Sequence, residues 1–289
     1  YVRMKMEKLI KSYYPLTASP FEKSEYYTEL APCSALKGYV RCFWGTAVPK
    51  AAVCRPRLVI PDTCMDIIVN MDYDCGTAES CFCTIDSSPY YSGTQCGGSV
   101  TSVFGIRFYP WAVHLFTDTP LSECGKGVSC IEEFFPKLEK RLLPMLEAVP
   151  ELENRAAYAE KLLLDILDAD RTRYDLLNCI YDIIASDSSI KISELARSNA
   201  LSPKQTERIF RSGLGISPAG FRTLSRYQLL LQSICSPHGI SILDAVEKFG
   251  YTDQSHLLND FKKHHNMSPK QALELSSSDN VGFLQYISP

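Results

Sequence analysis

The chain has 289 residues, of which 45% are hydrophobic and 22% are charged, and its formal net charge is −3. This length suits about two domains of roughly 100–200 residues. The hydrophobic fraction lets both bury a core, which excludes a disordered chain. The sequence has no run of about 18 apolar residues, so we expect no membrane-spanning helix. Residues 1–12 lack the pattern of a signal peptide. We therefore expect a cytoplasmic protein.

Residues 33–110 predict short β-strands separated by turns. Apolar, β-branched and aromatic runs recur there, with Pro, Gly and Asp between them. The runs are 39–44, 57–60, 65–69 and 101–108. Such a pattern is typical of a β-barrel or sandwich. We expect an α+β protein whose residues 1–150 form a cupin-like, β-rich sensor domain with flanking helices.

Apolar residues follow a helical period from about residue 131, with Pro144 and Pro150 as expected interruptions. Apolar stripes predict helices over 155–168 and around 176–184. These stripes could pair across a dimer or pack on the chain's own barrel, and the sequence leaves both open. Beyond residue 150 we expect a helical linker at 151–186, an all-helical domain at 187–275 and a C-terminal tail at 276–289.

Charge and cysteine are unevenly distributed along the chain. Residues 1–185 hold 19 Lys and Arg against 24 Asp and Glu, whereas residues 186–275 hold 11 against 8. A basic C-terminal part beside an acidic one suggests a nucleic-acid partner, although a surplus of three is a weak footprint. Ten of the twelve cysteines lie in the first 130 residues. This density is too low for a disulfide scaffold, so we expect reduced thiols.

The C-terminal third contains an internal repeat with an offset of 51 residues. The segment 202–210 followed by Gly-Ile-Ser-Pro at 215–218 matches the segment 253–261 followed by Asn-Met-Ser-Pro at 266–269. A repeat of this kind is one structural unit used twice. An apolar stripe over 219–234 predicts a helix between the two copies.

The first copy predicts a helix-turn-helix. Ser193 is the expected cap of its first helix. Ser202 is the expected cap of its second helix, with Pro203 at the first helical position and Gln205 completing a capping box.

The second copy predicts the same unit. Ser241 and Asp253 are the expected caps of its two helices, and Gly250 ends the first helix where a positive φ is needed. Helix-turn-helix units place their second helix in the DNA major groove, and two units one DNA turn apart can read successive grooves.

This repeat resembles the DNA-binding domain of the AraC/XylS family of bacterial transcription regulators. The segments that carry the resemblance are 202–210, 215–218, 250–256, 261–263 and 267–269. The N-terminal part is similar to the sensor domain of one AraC subfamily. Its matching segments are 43–44, 60–62 with Asp66, and 105–108. It departs from that pattern at Thr63-Cys64, where a Gly is expected after Pro-Asp.

By this resemblance, the first recognition helix presents Lys204, Glu207 and Arg208 to the groove. Gln205 and Arg211 lie within reach of bases or phosphates. The chemistry suits these roles, because Arg pairs with guanine, Glu accepts from cytosine and Lys suits guanine or phosphate.

The second recognition helix would present Gln254, Ser255 and Asn259, and Gln and Asn suit adenine. Asn259 stands where many members of the family carry Arg, which would shift base preference. The basic residues expected to meet phosphate are Lys262, Lys263 and His264.

Three alternatives remain for what the N-terminal part senses. The first is a small organic ligand, with Trp44, Arg107 and Trp111 as candidate contacts. Arg107 could pair with an anionic ligand, or it could form an internal salt bridge with Asp62 or Asp66.

The second alternative is a soft metal or redox signal, because thiolates prefer soft ions. The candidate thiols are Cys75, Cys81, Cys83 and Cys96. The third alternative is no ligand, with the domain serving only dimerisation or partner contacts.

An enzyme is the rival class. The sequence has no Gly-x-Ser-x-Gly, no phosphate-binding Gly-rich loop and no His-Glu-x-x-His, so we expect no enzymatic activity and no cofactor. An enzyme fused to a DNA-binding module stays the alternative. The expected partner is double-stranded promoter DNA, together with a small-molecule effector, a second copy of the chain and RNA polymerase; no membrane partner is expected.

Overall fold

The computed structural model describes residues 2–16, 27–46, 50–51, 57–92, 100–123, 127–236 and 239–276. Cys96 and the predicted tail beyond residue 276 lie outside the described residues. Over these described ranges, no helix is long and apolar enough to cross a bilayer.

The N-terminal part is one helix followed by antiparallel strands. These elements are α1 (Val2–Ser12), β1 (Thr28–Leu30), β2 (Val40–Gly45), β3 (Lys50–Ala51), β4 (Arg57–Val59), β5 (Met65–Asp72), β6 (Thr77–Cys83), β7 (Tyr90–Ser92), β8 (Val100–Phe108) and β9 (Val128–Ser129). The main sheet has the order β1-β2-β8-β5-β6-β9, with β3 on β8, while β4 and β7 form a second sheet. The four predicted strands are confirmed as β2, β4, β5 and β8. Strand β6 was not predicted, because its residues are mostly polar or small.

One face of the main sheet is the core of the N-terminal part. The register aligns Phe82, Ile67, Ile106 and Phe43 across four strands, and all four are fully buried. Within the described residues, β1 and β9 are the edges of this sheet and do not pair with each other. The β-rich α+β fold is confirmed, but the sheet is open at these short edge strands and does not close as a barrel.

The opposite face of the main sheet is polar. The adjacent row of the same register aligns Cys83, Asp66, Arg107 and Cys42. Successive residues of a strand point to opposite faces, so this row lies on the side away from Phe82.

Helices cover the apolar face. They are α2 (Ile131–Phe134), α3 (Pro136–Ala148) and α4 (Leu152–Ile166). Pro144 was expected to interrupt the helical region but lies inside α3. Its neighbours Leu142 and Leu146 are fully buried, and this packing outweighs the one backbone hydrogen bond that proline removes. Pro150 does separate α3 from α4.

A buried arginine joins α3, α4 and the sheet. Arg155 has no exposed surface. Its guanidinium donates to the carbonyls of Leu146 at 2.8 Å and Val149 at 2.6 Å, where α3 ends. It also donates to the hydroxyls of Ser102 at 2.9 Å and Tyr73 at 2.5 Å. These bonds satisfy carbonyls that a helix terminus leaves without partners.

The two helices that were candidates for dimer contacts are covered by the chain itself. Helix α4 packs on α3 and on β2, while α5 (Tyr174–Ala185) packs on α1 and on the helices that follow it. Leu162, Leu163 and Ile180 on their apolar stripes are at most 1% exposed. The alternative in which the stripes pack within the chain therefore agrees with the structure.

The C-terminal part contains six helices within its described residues. They are α6 (Ile192–Ser198), α7 (Pro203–Leu214), α8 (Pro218–Cys235), α9 (Ile242–Lys248), α10 (Gln254–His265) and α11 (Pro269–Ser276). The pairs α6–α7 and α9–α10 are the two predicted helix-turn-helix units, and α8 is the predicted helix between them.

Candidate nucleic-acid interface

The turn of the first unit is set by one residue with a positive φ. Helix α6 ends at Ser198, and Ala200 has a φ of 53°. The Leu201 amide then donates to the Ala196 carbonyl at 2.9 Å. The expected cap at Ser193 is wrong: the N-cap is Lys191, without a capping side chain. The helix begins at Ile192, two residues earlier than the predicted cap allows.

The recognition helix of the first unit, α7, begins at the predicted capping box. The Ser202 Oγ accepts from the Gln205 amide at 3.2 Å, and the Gln205 Oε1 accepts from the Ser202 amide at 2.8 Å. Pro203 occupies the first helical position, and Gly215 ends the helix with a φ of 74°. Both termini of α7 are therefore fixed by local chemistry.

The second unit repeats this geometry with one inserted residue. Gly250 has a φ of 65°, and the Tyr251 amide donates to the Val246 carbonyl at 2.9 Å. Thr252 then precedes the cap, where Asp253 Oδ1 accepts from the His256 amide at 2.8 Å. Helices α6 and α9 are consequently 50 residues apart, whereas α7 and α10 keep the offset of 51 residues.

Helix α7 presents a basic row on its exposed side. Lys204, Arg208 and Arg211 are exposed, whereas Ile209 and Phe210 on the other side are buried. Two further predicted residues are engaged locally, because the Gln205 side chain holds the cap and Glu207 accepts from Arg211 at 2.9 Å. The exposed row can therefore offer guanidinium and ammonium donors to bases or phosphates.

Helix α10 presents amide and hydroxyl groups followed by two lysines. The exposed predicted residues are Gln254, Ser255, Asn259, Lys262 and Lys263. The expectation that His264 meets phosphate is wrong: it is 1% exposed, and its Nδ1 lies 2.8 Å from the Ser87 carbonyl. The i,i+3 spacing from Phe261 puts His264 on the buried side of the helix.

A buried charge cluster ties α10 to α8, and the sequence analysis missed it. Arg226 Nη2 lies 2.9 Å from Asp260 Oδ2, and both side chains are at most 10% exposed. The Tyr251 hydroxyl donates to the same carboxylate at 3.0 Å, while the Arg226 guanidinium lies 4.0 Å from the centre of the Tyr251 ring. The available signal was a charged residue within the apolar stripe of α8. This cluster fixes how α10 sits on the helix between the two units.

Two buried histidines predict acid sensitivity. Burial lowers the pKa of His114 to about 4, with help from Arg173 and Arg171. Burial also lowers the pKa of His265 to about 4. The unfolded chain binds protons below pH of about 6.5, whereas the folded chain resists them until about pH 4. The free energy of unfolding therefore falls as pH drops through this window, by up to about 1.4 kcal/mol per pH unit for each histidine.

Urea unfolding between pH 7 and 5 measures this slope. The variant His265→Asn should flatten it, and an amide can still bond the Tyr227 hydroxyl, which lies 2.7 Å from the histidine Nδ1. Equal slopes for the variant and the parent would contradict the assignment.

The three candidate ligand contacts all bond to other residues of the N-terminal part. Arg107 pairs with Asp62 and, at 3.0 Å, with Asp66. Trp44 Nε1 donates to Asp66 Oδ1 at 2.9 Å, and Trp111 Nε1 donates to the Gly38 carbonyl at 2.9 Å. Burial raises the pKa of Asp62, which Arg107 opposes. Of the two roles considered for Arg107, the structure shows the internal salt bridge.

The candidate thiols divide into a pair and a single residue. Cys81 and Cys83 lie with their Sγ atoms 3.9 Å apart and are half-buried, whereas Cys75 is exposed. In the part of the chain that the structure describes, no group of three or more His, Cys, Asp or Glu side chains could hold a metal ion.

Helix α8 also contacts the N-terminal part directly. The Gln228 side chain accepts from the Leu16 amide at 2.7 Å. Its Nε2 donates to the Leu16 carbonyl at 3.1 Å and to the Pro61 carbonyl at 2.7 Å. Pro61 is followed by Asp62, which pairs with Arg107. A fully buried amide thus connects the polar face of the sheet with the helix between the two units.

Two family models match separate parts of the chain. A helix-turn-helix domain matches residues 195–274, and a domain of unknown function, DUF6597, matches residues 28–128. Among curated proteins, none matches this sequence significantly.

Solved structures give further likenesses. The C-terminal domain of AraT from Geobacillus stearothermophilus is 24% identical over 35% of this chain and 84% of that chain, with a TM-score of 0.32. A DNA-binding transcriptional dual regulator from Escherichia coli K-12 is 19% identical over 37% and 96%, with a TM-score of 0.33. ToxT from Vibrio cholerae is 11% identical over 80% and 98%, with a TM-score of 0.42.

The helix-turn-helix match spans both units, the helix between them and the exposed rows of α7 and α10. The second match covers most of the N-terminal sheet. The chain therefore carries a helix-turn-helix domain at residues 195–274 behind a DUF6597 domain at residues 28–128.

Proposed function

We propose that the chain binds promoter DNA with α7 and α10 in successive segments of the major groove, under the control of a signal at the N-terminal part. The supporting observation is the pair of exposed rows on two capped helices whose spacing is set by buried α8. Two such helices can read half-sites about 34–36 Å apart, which is one DNA turn.

The two rows suit different contacts. Lys204 and Arg208 on α7 suit guanine, while Gln254 and Asn259 on α10 suit adenine. Lys262 and Lys263 near the end of α10 suit phosphate, which positions the helix without reading sequence. In this assignment Arg211 and Ser255 make supporting contacts with the DNA, and Arg211 also pairs with Glu207.

The effector of this proposal is a small molecule that acts at the polar face of the main sheet. A ligand shifts a regulator only when it binds one arrangement more tightly than the other. A ligand bound at that face could act on α8 through two neighbouring residues. Asp62 pairs with Arg107 on the polar face, and the carbonyl of the adjacent Pro61 accepts a hydrogen bond from Gln228 on α8. A soft ion at the thiols of the same face is the second candidate effector. We further propose that the chain acts as a homodimer that contacts RNA polymerase, and that it has no enzymatic activity.

Genome-wide binding of the purified full chain to fragmented DNA of its own organism tests the proposal, at about 150 mM salt because affinity depends steeply on salt. The expected result is a compact site of two short boxes about one helical turn apart. Absence of any enriched site, with and without cell extract as a source of effector, would contradict it.

The variant Arg208→Ala tests whether the recognition helix α7 contacts bases. If Arg208 pairs with a base, the affinity should fall by about 1–3 kcal/mol and base choice should relax at one position. Competition binding with single-base variants of the selected site measures both effects.

A matched control is Lys161→Ala, because Lys161 is exposed on α4, outside the helix-turn-helix domain. It removes one positive charge and should leave base choice unchanged. Equal weakening by Arg208→Ala on every sequence, with a shallower salt dependence, would assign Arg208 to phosphate instead.

A further inference from the structure

Two thiols on β6 share the polar face of the main sheet. Cys81 and Cys83 flank Phe82, whose ring lies 5.6 Å from that of Phe134 and 5.0 Å from that of Phe135 in the core. Alternation along the strand directs both cysteines to the opposite side. There the two Sγ atoms are 3.9 Å apart, and both residues are half-buried.

The strand geometry disfavours a disulfide between these two residues. Residues 77–83 pair with residues 66–72 of β5 without a register shift, so β6 is extended throughout. In an extended strand the Cβ atoms of residues i and i+2 are about 6.6 Å apart. A disulfide needs about 3.5–4.5 Å between Cβ atoms. Oxidation would therefore have to distort a strand that is paired along its whole length.

The same geometry suits a single atom held by both sulfurs. Two thiolates on one tetrahedral ion, with bonds of about 2.3 Å, lie about 3.8 Å apart. The observed 3.9 Å separation needs almost no rearrangement to hold such an ion. The hydrogen bond between the two thiols lowers the pKa of Cys81 and raises that of Cys83, so Cys81 loses its proton first and Cys83 must lose its own when the second bond forms.

We propose that Cys81 and Cys83 form a dithiol site that captures one soft, thiophilic species, either a soft divalent cation or a trivalent arsenical. A cation forms two metal–sulfur bonds and releases the two thiol protons. An arsine oxide forms two arsenic–sulfur bonds, and its oxygen leaves as water with the same two protons. No electrons are transferred, so no oxidant is required.

The absence of a third ligand nearby, within the described residues, fits capture by two sulfurs better than a closed four-ligand site. The remaining positions on the bound atom belong to its own substituents or to solvent. The inference does not rest on DNA binding, and its test uses no DNA.

The first experiment titrates the reduced full chain with phenylarsine oxide, alkylates the remaining thiols with iodoacetamide and maps the labelled peptides. One equivalent should protect Cys81 and Cys83 together, while Cys75 on the neighbouring turn stays alkylated. A parallel titration with cadmium, followed by thiolate-to-metal absorption, distinguishes a cation from an arsenical. Binding of either supports the site, and binding of neither overturns it.

The second experiment uses variants. Cys81→Ser and Cys83→Ser should each weaken arsenical binding about 100-fold, because the second bond is then lost. Cys75→Ser is the matched control and should bind as the parent does. A single-serine variant that binds as tightly as the parent would overturn the proposal. The labelling of the parent chain decides the question even where a variant fails to fold.

Discussion

Asp260→Asn should destabilise the helix-turn-helix domain by about 3–5 kcal/mol, because it leaves the buried Arg226 charge without its partner. The Asp260 carboxylate accepts hydrogen bonds from Arg226 Nη2 at 2.9 Å and from the Tyr251 hydroxyl at 3.0 Å. The amide keeps the shape but removes the charge. We expect a lower urea midpoint and, since α10 loses its anchor on α8, weaker DNA binding without any change in the exposed row.

The chain contains a matched pair that separates burial from charge. Arg141 and Asp165 are 2.8 Å apart but about half exposed, and exposed pairs contribute about 0–1 kcal/mol. Asp165→Asn should therefore be nearly neutral. A double replacement, Arg226→Met with Asp260→Leu, should be more stable than Asp260→Asn, because no charge stays buried. If Asp260→Asn and Asp165→Asn have equal effects, the buried cluster does not carry the stability assigned to it.

Local signals predicted the helix-turn-helix units well. The Ser202 box, Asp253 and Gly250 act on groups within a few residues of themselves, so their roles follow from spacing alone. Ser193 failed as a cap because the helix starts two residues earlier, at Ile192, and the spacing of residues alone does not distinguish the two starts. Strand β6 was also not predictable from local signals, because only Phe82 in it is fully buried and no alternation of apolar residues marks it.

Long-range contacts were not predictable from spacing. Gln228 bonds to Leu16, 212 residues earlier in the chain, and His264 reaches Ser87 across 177 residues. Glutamine is mostly exposed in proteins and histidine is intermediate, and only the tertiary fold buries these two. The resemblance supplied the candidate DNA contacts, whose roles at bases or phosphates stay predictions.

Arg107→Met should destabilise the N-terminal part by about 3–5 kcal/mol at pH 7, because it leaves two carboxylates buried side by side. Arg107 pairs with both Asp62 and Asp66. Burial raises the pKa of Asp62 even though Arg107 opposes the shift. Without the guanidinium, Asp62 should bind a proton at a higher pH than it does in the unfolded chain, where its pKa is about 3.9.

The sign of the pH dependence follows from this difference. The folded variant gains protons before the unfolded variant does, so the stability gap between variant and parent should narrow as pH falls from 7 to 5. Urea unfolding of both proteins at each pH measures the gap, and the acid sensitivity of the buried histidines cancels in the comparison. Arg141→Met is the control, since Arg141 and its partner Asp165 are about half exposed. A stable Arg107→Met variant with an unchanged pH profile would restore the role of Arg107 as an anion-binding residue, because a side chain kept for a ligand would cost little stability when replaced in the free protein.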